Sequence, residues 1–158
     1  MSVSECPICS EHEQSYLFAL DGGRLMRCRG CGLVQTQRQS EPRFAPRSGW
    51  AGYETEADAG ERYALRIAEL AAGRDVLVVC DAPHPVGQSL RSRGFAVTSC
   101  PPGSISKMPS SFDCVVFLYS LDKCALPASA LENAHAALRS RGVLFIATPS
   151  LDSFAARY

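Results

Sequence analysis

Four cysteines carry the clearest chemical signal in the chain. Cys6-Pro7-Ile8-Cys9 and Cys28-Arg29-Gly30-Cys31 are two Cys-x-x-Cys pairs separated by residues 10–27. Thiolates in this spacing can surround one tetrahedral Zn²⁺, and four protein ligands leave no open coordination position, so the site they define is structural and not catalytic. The same donor set also suits iron. Between the pairs, Tyr16–Leu20 and Arg24–Arg27 flank Asp21-Gly22-Gly23, a hairpin signal that brings both pairs to one place. The other four cysteines, Cys80, Cys100, Cys114 and Cys124, lack ligand spacing and lie in or beside apolar runs. There the thiol serves as a small core group.

The elements that must position these residues divide by composition. Residues 1–38 hold the two pairs and read as a zinc ribbon. Residues 39–56 are rich in Pro, Gly and Ser and form a linker,. From residue 57 to 158 the apolar pattern becomes that of an α/β body. Ala59, Tyr63, Ile67 and Leu70 recur at helical spacing, with Gly73 as a stop,. Val76–Cys80 is a short continuous apolar run, as a strand buried on both faces requires,. A helix over 86–93, a strand over 95–98, a loop over 101–111, a strand over 112–119, a helix over 127–139 and a strand over 143–147 follow. The last helix places Leu131, Ala134 and Leu138 on one face. Alternation of this kind implies right-handed crossovers and a mostly parallel, Rossmann-like sheet of about four strands.

Composition excludes several classes of function. The 158 residues are 46% hydrophobic, with Lys+Arg 16 against Asp+Glu 16, so a wholesale nucleic-acid or membrane-surface binder is not expected. The longest apolar runs fall far short of the roughly 20 residues that span a bilayer. The N-terminus shows neither a basic nor an apolar leader segment, and the expectation is a cytoplasmic, reducing setting in which cysteines bind metal or fill core. Arg24, Arg27, Arg29, Arg38, Arg43 and Arg47 oppose only Glu41 across that stretch. A phosphate or nucleic-acid contact is one reading of it; a solvated face is the preferred one.

The order Cys-x-x-Cys, hairpin, Cys-x-x-Cys-Gly-Leu-Val, aromatic connector and α/β body resembles the zinc-ribbon class I S-adenosylmethionine-dependent methyltransferases. Ser111-Phe112-Asp113-Cys114-Val115-Val116 looks like that family's fourth strand, and Ser120-Leu121-Asp122-Lys123-Cys124 like the segment after it. Ala137-Leu138-Arg139-Ser140-Arg141-Gly142-Val143-Leu144 is similar to its Leu-Leu-Arg-Pro-Gly-Gly-Leu-Leu turn, and Thr148-Pro149-Ser150-Leu151-Asp152-Ser153 to the segment after the fifth strand. The resemblance implies a Rossmann-like body that holds S-adenosylmethionine beyond the first two strands.

The cofactor motifs depart from the family. Where it has Gly-x-Gly-x-Gly, this chain has Cys80-Asp81-Ala82-Pro83-His84; Cys80, Ala82 and His84 stand at the glycine positions, and Pro83 removes an amide donor. Where an acid bonds the ribose, Pro101 stands. The stretch 102–111 is too short for the family's next helix and third strand. The resemblance implies Cys80, Asp81, Ala82 and His84 as the degenerate cofactor positions, with Tyr119, Asp122, Lys123 and His84 as the candidates for catalysis. Two functions follow: a non-catalytic relative that binds a protein partner, or forms a homo-oligomer, through an exposed sheet edge; or an active methyltransferase on a small molecule, or a fragment of one.

Overall fold

The computed structural model describes the backbone of residues 5–20, 23–38, 56–80, 83–124 and 126–148, and the side chains of these except Leu20, Arg38 and residues 56–58. The chain divides into two compact units, residues 1–51 and 52–158. The connector at 39–55 lies outside the described residues, and Glu56 opens a helix.

The first unit is a three-stranded antiparallel sheet of β1 (Gln14–Leu20), β2 (Gly23–Cys28) and β3 (Val34–Arg38), with β2 in the centre. The expected hairpin is β1–β2, paired from Gln14↔Cys28 to Leu20↔Gly23 with an irregularity between Tyr16 and Phe18. Its turn residues Asp21 and Gly22 lie outside the described residues. Strand β3 has no apolar alternation to announce it: its sequence is Val-Gln-Thr-Gln-Arg. Pairing with β2, from Gly23↔Arg38 to Arg27↔Val34, makes it a strand. Among the described residues of this unit, the buried side chains are Cys6 and Cys28, each 1% exposed. Among the described residues of this unit no other apolar side chain is fully buried, and Leu25, Met26, Leu33 and Val34 are only partly so.

The second unit runs α1 (Glu56–Leu70), β4 (Asp75–Val79), α2 (Pro85–Ser92), β5 (Ala96–Cys100), β6 (Phe112–Leu118), α3 (Pro127–Ala137) and β7 (Leu138–Ala147). All neighbouring strand pairs are parallel, in the order β5-β4-β6-β7. The order reverses between β4 and β6, the switch point beyond which open α/β sheets bind ligands.

Strand alternation builds two cores. Val76, Val78, Cys114, Val116 and Leu118 face Ala64, Ile67, Val86 and Leu90 of α1 and α2. Leu77, Val79, Val115 and Phe117 face Ala130, Ala134 and Ala137 of α3 and Ile105. Both helix faces differ from the periodicity reading. On α1 the buried residues are Gly60, Ala64 and Ile67, with Tyr63 partly buried and Leu70 42% exposed. The shift has a cause: a Cβ on Gly60 would lie 2.8 Å from Pro85 Cβ, so α1 turns its smallest residue toward α2. On α3 the buried stripe is Ala130, Ala134 and Ala137, not Leu131 and Leu138; small side chains let the helix lie close over Phe117. Burial here follows space available at the contact more than side-chain hydrophobicity.

The stretch expected to be a loop contains a 3₁₀ helix, Pro102–Lys107, with Ile105 buried. These two turns cover the sheet where a longer crossover would otherwise run,.

At the opposite end of the strands, Arg139 bridges Asp75 (2.9 Å) and Asp113 (3.0 Å), and Asp113 Oδ2 accepts the Asp75 N–H at 3.0 Å. The Asp75 N–H, and then the Arg139 guanidinium, hold the Asp113 carboxyl below the usual carboxylate range against the opposing effect of burial. Because the folded-state value is depressed, the stability Asp113 contributes is complete above the ordinary carboxylate range and is lost as pH falls through the folded value. Asp113→Asn should therefore lower the urea midpoint at neutral pH, and the gap to the parent protein should close below about pH 4. A gap that stays constant across that range would contradict this role.

Candidate functional site

The first candidate site is the four-cysteine centre. The sulfur atoms of Cys6, Cys9, Cys28 and Cys31 all lie within 4.8 Å of one another, with Cys6–Cys31 at 3.6 Å and Cys9–Cys28 at 3.5 Å. Four thiolates about 2.3 Å from one tetrahedral ion sit about 3.8 Å apart, so the donor set fits zinc. All four are free thiols.

Two backbone knuckles of matching geometry aim them. In the first, Ser10 N–H donates to Cys6 O and Cys6 N–H to Glu11 O, both at 3.0 Å; in the second, Gly32 N–H donates to Cys28 O at 3.0 Å and Cys28 N–H to Leu33 O at 2.8 Å. The residue after each second cysteine takes the left-handed conformation, Ser10 at φ 58° and Gly32 at φ 77°. Glycine meets this demand at Gly32, whereas Ser10 carries a strained backbone for the same turn. Arg29 N–H donates to Glu13 O at 3.0 Å and ties the second knuckle to the strand leaving the first.

The thiols differ in acidity. Burial pushes Cys6 up, but backbone N–H groups of Cys9 and Ile8 and the neighbouring thiols outweigh it and bring Cys6 to about 7. Cys9 accepts the Glu11 N–H, which lowers it, yet contacts with Cys28 and Cys31, burial and Cys6 leave it raised to about 12. One thiolate forms readily and further ones are opposed, as expected of a cluster that needs a cation to ionise fully.

The arginines between 24 and 47 do not form one face among the described residues. Arg24 and Arg27 sit at odd spacing on the regularly paired β2–β3 ladder and project to opposite sides,. Arg29 lies 3.7 Å from Glu13. The side chain of Arg38, and Arg43 and Arg47, lie outside the described residues.

The second candidate site is the crevice beyond the C-terminal ends of β4, β5 and β6. Of the cofactor positions, Cys80 is half-buried and packs against the core on the α1–α2 side; Asp81 and Ala82 lie outside the described residues. His84 is the N-cap of α2: its Nδ1 accepts the Val86 N–H at 3.1 Å, with Pro85 at the first helical turn. That is a structural task for one imidazole nitrogen. Pro101 is the N-cap of the 3₁₀ helix at φ −68° and ψ 155°. Ser120, 2% exposed, donates its hydroxyl to Val79 O at 2.7 Å and so bonds the end of β6 to the end of β4 at the switch point. Sequence reasoning passed over Ser120; its place after the strand-end motif, beside Tyr119, was the available signal.

Among the catalytic candidates, Tyr119 takes the left-handed conformation at φ 50° and is 38% exposed. Its hydroxyl lies 2.6 Å from that of Tyr63. Tyr63 in turn packs edge-on against Tyr119 and Phe145, with ring centroids 6.4 and 6.0 Å away. Asp122 and Lys123 are exposed on a short 3₁₀ turn, Leu121–Lys123. The structure thus brings Tyr119 to a partner, Tyr63, that the sequence did not suggest.

The fold and the site define an α/β protein with a Rossmann-like parallel sheet and an N-terminal four-cysteine centre. No family model matches the chain. No curated protein matches it either. Among solved structures, the chain is similar to a phosphoethanolamine N-methyltransferase 2 of Haemonchus contortus with phosphomonomethylethanolamine and S-adenosylhomocysteine bound: 19% identity over 61% of this chain and 25% of that one, TM-score 0.46. It is also similar to an S-adenosylmethionine-dependent methyltransferase of Thermotoga maritima: 21% identity over 63% of this chain and 55% of that one, TM-score 0.44. The chain therefore spans about a quarter and about half of the length of these two proteins. No described helix is long and apolar enough to cross a membrane.

Proposed function

We propose that the chain is a class I methyltransferase-like protein with a structural zinc ribbon, whose cofactor crevice is closed and which binds a partner in the cytoplasm instead of transferring a methyl group. The observation that carries this reading is the end of β5. Pro101 stands where the motif comparison expects a ribose-binding acid, and the chain passes at once into the 3₁₀ helix whose Ile105 is buried in the core. Around it, His84 is engaged in capping α2 and Ser120 in bonding β4. These bonds satisfy groups that an open crevice would offer to a ligand. Zinc belongs to Cys6, Cys9, Cys28 and Cys31, where it would supply structural cross-linking.

The second reading, an active methyltransferase on a small molecule, draws on Tyr119. A tyrosine held in the left-handed region at a strand end, with its hydroxyl paired to Tyr63, is the kind of local strain found at working sites.

Thermal denaturation with S-adenosylmethionine separates the two. A ligand present at a hundred times its Kd stabilises by about 2.7 kcal/mol, a shift of roughly 11–22 °C for a domain of about 100 residues. The closed crevice predicts no shift at millimolar ligand. A rise of several degrees would favour the active reading.

A further inference from the structure

The two outer strands of the α/β sheet are treated differently. At one edge, β5 is Ala96-Val97-Thr98-Ser99-Cys100, with Ala96, Thr98 and Ser99 exposed. Ala96 N–H donates inward to Arg74 O, and Cys80 N–H reaches inward to Cys100 O. Val97 and Ser99 therefore turn their backbone groups outward. The Arg91 guanidinium caps the outward Val97 carbonyl at 3.1 Å. This edge is polar and guarded, as natural edge strands are.

At the other edge, β7 confines its polar residues Arg139, Ser140 and Arg141, and an irregularity in its pairing with β6, to the start of the strand. Its regularly paired segment, Val143-Leu144-Phe145-Ile146-Ala147, is uncharged and wholly apolar, the composition of a central strand in a parallel sheet,. Among the described residues β6 is its single strand neighbour. Ile146 is 40% exposed, and Val143, Leu144, Phe145 and Ala147 are only half-buried. Tyr119 N–H donates to Ala147 O at 2.9 Å. In a parallel ladder alternate residues face the same neighbour, so Val143, Phe145 and Ala147 bond to β6, and Leu144 and Ile146 present both N–H and C=O outward.

We propose that β7 pairs antiparallel with β7 of a second copy of this chain, making one continuous eight-stranded sheet across a two-fold axis at Phe145. This names the partner of the binding role proposed above and rests on that reading. In this register Leu144 of each copy lies opposite Ile146 of the other, and their outward groups exchange four N–H···O bonds. The apolar segments cover each other, which is the self-complementarity a two-fold interface needs. The segment Val143–Ala147 carries no charge, so nothing in the seam itself repels a second copy. With Lys+Arg 16 and Asp+Glu 16 the chain has no net charge to keep copies apart,.

The test is sedimentation equilibrium of the 158-residue protein over micromolar to several hundred micromolar concentration, alongside two variants. Ile146→Pro removes an outward N–H that β6 does not use, a substitution edge strands tolerate. Ile146→Lys keeps every backbone group and places a charge in the apolar seam. The parent should show a reversible monomer–dimer equilibrium, the dimer at twice 17.0 kDa, and each variant that retains the parent's circular dichroism should weaken it at least tenfold. A parent that stays monomeric throughout, because the edge is covered in some other way, would overturn the proposal. So would a dimer that neither variant weakens. S-adenosylmethionine binding would overturn the closed-crevice reading by a different readout and leave the self-association result standing on its own.

Discussion

Removal of the zinc proposed for the four-cysteine centre is expected to unfold the three-stranded sheet of residues 14–38 outright. The reason is the sparse core: among the described residues of that unit, Cys6 and Cys28 are the buried side chains, while Tyr16 and Phe18 are 57% and 51% exposed. A sheet of this size with so little full apolar burial among its described residues has little to offset the entropy of ordering its chain. Structural zinc in small domains contributes about 10–16 kcal/mol of apparent binding free energy, most of it folding free energy. Cys28→Ser should act like chelation. It removes a buried ligand whose sulfur also lies 3.5 Å from the Cys31 N–H, and it opens the second knuckle. Amide spectra should show residues 14–38 collapsing to random-coil shifts on chelation, while residues of the α/β core keep their dispersion. Retention of the ribbon signals after quantitative metal loss would show that something other than the thiolate centre holds it.

Phe117→Ala is expected to do the converse. Phe117 is the largest of the fully buried side chains, 0% exposed on the central strand β6, packed with Leu77, Val79, Val115 and the alanine face of α3. Phe-to-Ala changes in cores cost about 3–5 kcal/mol because a cavity remains after the transfer free energy is lost. Collapse is hindered here: Ala130, Ala134 and Ala137 have no longer side chains to lean into the space. Since small domains are stable by only about 5–15 kcal/mol, denaturant midpoints of the α/β unit should fall by a large fraction while the metal content of the protein stays that of the parent. A loss below about 1 kcal/mol would mean the face of α3 can close the gap.

The parts of this molecule that repeat a local rule were legible in the sequence. The two Cys-x-x-Cys spacings declared the thiol cluster, and the apolar runs at 76–80, 112–119 and 143–147 declared strands of a parallel sheet. What stayed hidden depends on contacts that no local pattern encodes. Strand β3 is polar and becomes a strand because β2 is beside it. The buried faces of α1 and α3 are set by how closely Gly60 meets Pro85 and the alanines meet Phe117. His84 looked like a stray loop histidine with chemical potential, and its capping bond to Val86 gives it an architectural task. Ser120 stood in the segment compared with the family but was given no role there; its hydroxyl spans the switch point to Val79. The run at 143–147 declares a strand, but nothing local in it declares that, among the described residues, the strand lies at an edge.

The claim that the crevice beyond β4 and β5 no longer holds S-adenosylmethionine is tested most directly by calorimetric titration of the zinc-loaded protein with that cofactor at neutral pH. With Pro101 leading into the 3₁₀ helix, and with His84 and Ser120 bonded to their own backbone neighbours, the account predicts no saturable heat up to millimolar ligand. One-site binding in the micromolar range would contradict it and return Tyr119, Asp122 and Lys123 to consideration as working groups.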